Sequence, residues 1–238
     1  MTKEEYTKIE SFMKSQMQDS AHDKHHVYRV LNSALDIYEH ENAVDFDILV
    51  AACLLHDIGR EQQFASTENL CHAEIGGDTA YDFLLSLNWT PEKASHVKDC
   101  ISTHRFRGNS TPESIEAKIL FDADKLDVTG ALGIARTLIY KGQVTEPLYI
   151  LDENESIITD SGEAGMSSFF QEYNFKLKNI YDSFYTERAK SIAMERQKTA
   201  IDFYNGLYNE VNSNYNSGIK KHFGKLQNLM CGVGFHHY

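Results

Sequence analysis

A chain of 238 residues with 42% hydrophobic side chains and only 3 prolines has enough apolar surface for one sizeable core. Its 23 Lys and Arg stand against 35 Asp and Glu, a formal charge of −12 that argues against stable nucleic acid binding and against capture by anionic membranes. An anionic substrate would then need a local positive centre, and a metal ion is the compact way to supply one.

The opening stretch MTKEEYTKIESFMKSQMQDS is charged and amphipathic, with no apolar core of the kind an export signal carries. No later run approaches the ~18 consecutive apolar residues of a membrane span. Cys53, Cys71, Cys100 and Cys231 lie far apart without C-x-x-C spacing, so neither a disulfide framework nor a thiolate zinc site is expected. These features point to a cytoplasmic protein.

The dominant period is helical. Val27, Val30, Leu31, Ala34, Leu35 and Tyr38 mark one buried face and predict a helix over 24–41. DFDILVAACLL, 45–55, is apolar almost all round, which predicts an enclosed helix with His56 and Asp57 in its last turn and Gly59 as its C-cap. Further helices are expected at 72–87, 91–103 and 113–140, and two long amphipathic ones at 166–186 and 187–212. QVTEPLYILDENESIITDSGEAG, 143–165, carries turn residues and charges that allow a short hairpin. The fold class is therefore all-α: one domain over 1–212, with a core at 20–140 and C-terminal helices at 166–212. Residues 213–238 form an extension with little periodicity, read as partly disordered.

The cluster AHDKHHVYRV places His22, His25 and His26 within five positions. On a helix, His25 shares a face with Tyr28, Arg29, Asn32 and Asp36, and His26 with Arg29, Val30, Ser33 and Ile37. His25 is thus expected in water and His26 toward the core. His22 reads as a first-turn or capping residue, and an H-x3-H zinc pair of His22 with His26 lacks a second pair of ligands nearby. Alone, His26 would be an ordinary core histidine. The pair His56-Asp57 changes this, because burying a carboxylate costs several kcal/mol unless it is paired or coordinates a metal. In IEAKILFDADKLDVTGALGIA, Asp124 likewise shares a face with Ala117, Leu120, Phe121, Val128, Ala131 and Ala135. Three helices each turning a histidine or aspartate inward suggest convergence, and two imidazoles with two carboxylates suit a divalent ion.

H-x-x-R-V at 26–30, L-L-H-D-I-G at 54–59 and D-A-D-K-L-D at 122–127 together resemble the H…HD…D signature of the HD-domain superfamily of metal-dependent phosphohydrolases, in particular its bacterial nucleotide-pyrophosphohydrolase-like branch. The likeness runs from about residue 15 to 212. It implies a compact helical bundle in which His26, His56, Asp57 and Asp124 bind the metal. It also implies hydrolysis of a phosphate ester or anhydride of a small phosphorylated substrate, a nucleotide first, by a metal-activated water. Four protein ligands on an ion that accepts six leave room for a water and a phosphate oxygen. Asp57 would also orient that water or take its proton. One divalent ion is expected, Mn2+ first and Mg2+ next, with Fe, Co, Ni or Zn allowed by the nitrogen ligands.

Arg60, Lys125 and Arg105, with Arg107 beside it, are the candidate phosphate-binding cations. His104 is expected to line the pocket as phosphate donor or general acid, and His72 to be a helix N-terminal residue bonded to backbone. The alternatives are a two-metal HD-type phosphodiesterase or oxygenase, and a nucleotide-binding sensor without turnover. No P-loop or Rossmann fingerprint is present. A homodimer is compatible with the sequence.

Overall fold

The computed structural model describes residues 1–17, 24–65, 71–105, 111–160 and 168–231. Ten α-helices and one 3-10 helix occur among them, with no strand, as the all-α reading requires. The chain divides into two compact units, Met1–Thr129 with Tyr181–Met194, and Gly130–Ile180 with Glu195–Tyr238. No helix among the described residues is long and apolar enough to cross a membrane.

In the first unit, α1 (Lys3–Gln16) starts with a capping box in which Thr2 and Glu5 satisfy each other's backbone N–H. The next helix, α2 (Lys24–Tyr38), buries His26, Val27, Val30, Leu31, Ala34 and Ile37. It packs on α3 (Phe46–Leu55) and α7 (Ile115–Leu126). Asp45 caps α3 by accepting from the N–H groups of Asp47 and Ile48. Every residue of α3 from Ile48 to Leu55 is buried, so the turn that leaves it emerges inside the core. A short α4 (Arg60–Ala65) follows, then α5 (His72–Ser86) and α6 (Pro91–Ser102), which pack together.

Gly59 is not a left-handed C-cap, since Gly130 is the only glycine with positive φ among the described residues. Its requirement is steric. A Cβ there would lie 2.3 Å from the His72 carbonyl oxygen and 2.7 Å from the Gly76 nitrogen, so the missing side chain lets α5 press against the turn between α3 and α4.

The helix expected over 113–140 breaks. It ends as α7 at Leu126, and α8 (Gly130–Gln143) starts on Gly130 at φ 62°, an angle that favours glycine. Ala131 and Ala135, counted in the apolar row of Asp124, are exposed on α8. The first-unit part of α10 (Glu187–Cys231) is anchored by Arg188, which clasps Asp36 through Nε and Nη2 at 2.9 Å each. Asp122, fully buried, accepts from the backbone N–H of Tyr185 (2.9 Å) and from the Thr186 N–H and hydroxyl (2.7 Å each), closing the N-terminus of the same helix.

The second unit contains α8, α9 (Phe169–Phe175) and the 3-10 turn that begins at Leu177, in place of one helix over 166–186. The hairpin reduces to a single antiparallel bridge, Leu151 with Ile157, around a turn in which Asp152 Oδ1 accepts from the N–H groups of Asn154 and Ser156 at 2.8 Å. Helix α10 continues unbroken past residue 212 to Cys231, although residues 213–231 show little hydrophobic periodicity.

Candidate metal centre

The centre forms where three buried segments of the first unit meet. Helix α2 leaves His25 exposed and buries His26, as its phase predicts. The turn after α3 carries His56 and Asp57, 0% and 3% exposed. The last turn of α7 brings Asp124 to the same place with a side chain 24% exposed. His26 Nε2 lies 3.2 Å from Asp124 Oδ1, 3.4 Å from His56 Nε2 and 3.6 Å from Asp57 Oδ2. His56 Nε2 is 3.6 Å from that same Asp57 oxygen. All four residues expected as ligands are therefore brought together.

Hydrogen bonds on the far sides of the rings set their tautomers. His56 Nδ1 faces the Cys53 carbonyl at 2.8 Å, and a carbonyl can only accept, so Nδ1 carries the hydrogen. His26 Nδ1 faces Asp127 Oδ2 at 2.7 Å with the same consequence. The two Nε2 atoms therefore face each other across 3.4 Å, with carboxylate oxygens beside them. Two imidazole nitrogens and two carboxylates turned to one point are a donor set suited to a divalent cation.

A second group lies beside the first, and it takes in His72 as well as the expected His104. His72 and His104, both buried, sit on the other side of Asp57: its Oδ1 is 3.4 Å from His72 Nε2 and 3.7 Å from His104 Nε2. None of these three atoms has a hydrogen-bond partner. His104 Nδ1 donates to the Ile101 carbonyl, which leaves its Nε2 as a lone pair. His72 is the first residue of α5, as expected, but its Nδ1 faces the side chain of Gln63 at 2.7 Å rather than the backbone. The available signal was the glycine pair Gly59 and Gly76, which lets α5 approach; it could be interpreted only once the pairing of those two segments was known. In chemical terms His26, His56 and Asp57 form one metal-compatible triad and Asp57, His72 and His104 another, each with its donor atoms within 4.8 Å of one another.

Electrostatics follow from burial and neighbours. Burial pushes the Asp57 carboxyl up, but His56, Arg60, His104 and His26 together outweigh it and hold the group well below the usual carboxylate range. Asp124 is lowered in the same way, burial being overcome by the hydrogen bond and charge of His26 and by His56 and His104. Burial, then Arg60, pushes His72 down to about 2; burial, then His56, pushes His104 down to about 4. Both rings are neutral at pH 7, as ligands must be.

Arg60 Nε donates to Asp57 Oδ2 at 2.7 Å, and Arg105 Nη1 lies 3.1 Å from His72 Nδ1, so both guanidinium groups border the centre. Lys125 lies 4.2 Å over the Phe121 ring and donates to the Ser183 carbonyl at 3.3 Å; burial lowers its ammonium to about 8. His22 and Arg107 lie outside the described residues.

The HD domain family profile matches residues 24–129. Over 198 residues, 82% of this chain and 86% of the relative, the sequence is 31% identical to the uncharacterized protein YpgQ of Bacillus subtilis. The crystal structure of Bacillus subtilis YpgQ in complex with ADP superposes with a TM-score of 0.67 at 28% identity, covering 87% of this chain and 95% of that one. An HD-superfamily hydrolase from Bacillus thuringiensis gives the same TM-score and identity over 88% and 98%. With the histidine, the His-Asp pair and the later aspartate gathered around one point, the chain belongs to the HD domain family.

Proposed function

We propose that this centre hydrolyses a phosphate ester or anhydride bond of a small phosphorylated substrate, a nucleotide first, with His26, His56, Asp57 and Asp124 holding a divalent ion. The observation that carries the reading is the convergence on His26 Nε2 of Asp124 Oδ1 at 3.2 Å, His56 Nε2 at 3.4 Å and Asp57 Oδ2 at 3.6 Å, two imidazoles and two carboxylates from three separate segments. The ion supplies an acidified water and charge neutralisation at phosphorus. The ADP complex of YpgQ supports a nucleotide as ligand, and the hydrolase relative supports the reaction class.

The chain's own residues divide the remaining work. Asp57, ionised and buried, orients the attacking water and accepts its proton. Arg60 and Arg105, at the rim, bind phosphate oxygens in bidentate fashion. Lys125, held over Phe121, adds a further positive charge beside Asp124. His104 lacks a proton on the nitrogen facing Asp57, so we assign it a lone-pair role rather than proton donation.

A second reading, a two-ion centre bridged by Asp57, is favoured by the three unpartnered buried atoms Asp57 Oδ1, His72 Nε2 and His104 Nε2. Manganese is proposed ahead of magnesium, since two imidazoles join the carboxylates. The test is a screen of nucleoside mono-, di- and triphosphates against Mn2+, Mg2+, Fe2+, Co2+, Ni2+ and Zn2+, scoring phosphate against pyrophosphate release and metal bound per chain. Turnover with Mn2+ supports the reading. Nucleotide binding without turnover under every metal would favour a sensor instead.

A further inference from the structure

We infer that Asp127, clamped by Arg29, is a positioning residue that fixes the ring plane and tautomer of His26 and through them the metal affinity of the centre; this rests on the reading of His26 as a ligand. Asp127 follows α7 as its C-cap, with its own N–H bonded back to the Asp124 carbonyl at 3.1 Å, so the two carboxylates sit three residues apart on one turn. That turn grips both nitrogens of one imidazole: Asp124 Oδ1 stands 3.2 Å from Nε2 and Asp127 Oδ2 stands 2.7 Å from Nδ1.

Asp127 is itself held. Arg29, one turn along α2 from His26, donates from Nε to Oδ1 at 2.7 Å and from Nη2 to Oδ2 at 3.0 Å. The side chain of Asp127 is 4% exposed, against 32% for Arg29, so the planar guanidinium fork forms the outer wall and fixes the carboxylate plane from the solvent side. With Oδ2 placed this way, His26 donates to it from Nδ1, and Nε2 is the ring atom that faces His56, Asp57 and Asp124. Without the carboxylate the ring is free to adopt the other tautomer, in which Nε2–H points at the centre and cannot ligate.

The experiment uses the full chain, stripped of metal and titrated with Mn2+ by calorimetry. Long-range 15N–1H correlation spectra of the metal-free protein report which nitrogen of His26 carries the hydrogen. The parent is expected to show His26 protonated at Nδ1. Asp127→Asn, which can offer its amide N–H to that nitrogen, is expected to shift His26 toward the Nε2–H form and to weaken Mn2+ binding ~10–100-fold. Arg29→Lys keeps the charge, removes the fork and is expected to give a smaller loss with Asp127 intact, which covers the case of a poorly folded Asp127→Asn. An Nε2–H tautomer in the parent overturns the inference. So does parent Mn2+ affinity in both variants while His26→Ala loses the metal. Metal binding that is indifferent to His26→Ala as well overturns the ligand assignment beneath it.

Discussion

Asp57 Oδ1 and His72 Nε2 lie 3.4 Å apart in the core, and neither has a hydrogen-bond partner. A buried polar atom left without a partner costs ~1–3 kcal/mol, and a third one, His104 Nε2, lies 3.7 Å from Asp57 Oδ1. If a cation joins them, the parent binds more than one Mn2+ per chain, and His72→Asn or His104→Asn lowers the count by one while His26 and His56 keep theirs. Elemental analysis after gel filtration measures it. An unchanged count in both variants would confine the metal to the first group.

Neighbouring histidines should have opposite fates. His26→Ala removes a ring whose Nε2 is within 3.6 Å of three other candidate ligands, so retained metal should disappear. His25 is exposed on the same helix, and His25→Ala should keep metal near the parent level. Equal loss in both would contradict the phase of α2.

Asp122 and Asp124 separate stability from metal binding. Asp122 accepts from three donors, the N–H groups of Tyr185 and Thr186 and the Thr186 hydroxyl, just ahead of α10, so Asp122→Asn should cost ~1–3 kcal/mol in chemical denaturation and leave the metal in place. Asp124→Asn should lose metal with helical content retained. The reverse pattern would move the ligand role to Asp122.

Gly59 tests how closely α5 must approach. In Gly59→Ala the new Cβ meets the His72 carbonyl, backbone that cannot rotate away, so a destabilisation of ~1–3 kcal/mol is expected together with weaker binding at the His72 group. Parent stability in a thermal melt would show that the turn has slack.

The metal-stripped protein should lose stability as pH falls below about 6.5. His72 and His104, pushed down to about 2 and about 4 chiefly by burial, refuse protons that the unfolded chain takes up near 6.5. The unfolded state therefore binds more protons between those values, and stability rises with pH at up to ~1.4 kcal/mol per pH unit for each histidine. The carboxylates of Asp57 and Asp124, lowered in the fold, add a loss of the same sign only below about pH 4. Denaturation midpoints should drop from about pH 7 to pH 5 in the parent and less steeply in His104→Gln.

Residues whose environment is local were legible in the sequence. The phase of α2 separates His25 from His26, and the all-apolar run before His56 predicts burial of the His-Asp pair. Features set by distant pairing were not. His72 reaches the centre only because Gly59 and Gly76 let α5 close on a turn from another segment. Within DADKLD the helix phase singles out Asp124, but that Asp122 closes the N-terminus of α10 and that Asp127 meets His26 and Arg29 depends on what each encounters around α7. The break before Gly130 was hidden by a continuous helical period, and the extension of α10 beyond residue 212 by the lack of one.

Turnover by chelated and reconstituted protein tests the central claim most directly. Protein dialysed against a strong chelator should release neither phosphate nor pyrophosphate from any nucleotide. Adding Mn2+ should restore release in the parent but not in His56→Ala or Asp57→Asn. Release that survives thorough chelation, or that returns equally in those variants, would contradict a metal-dependent phosphohydrolase built on His26, His56, Asp57 and Asp124.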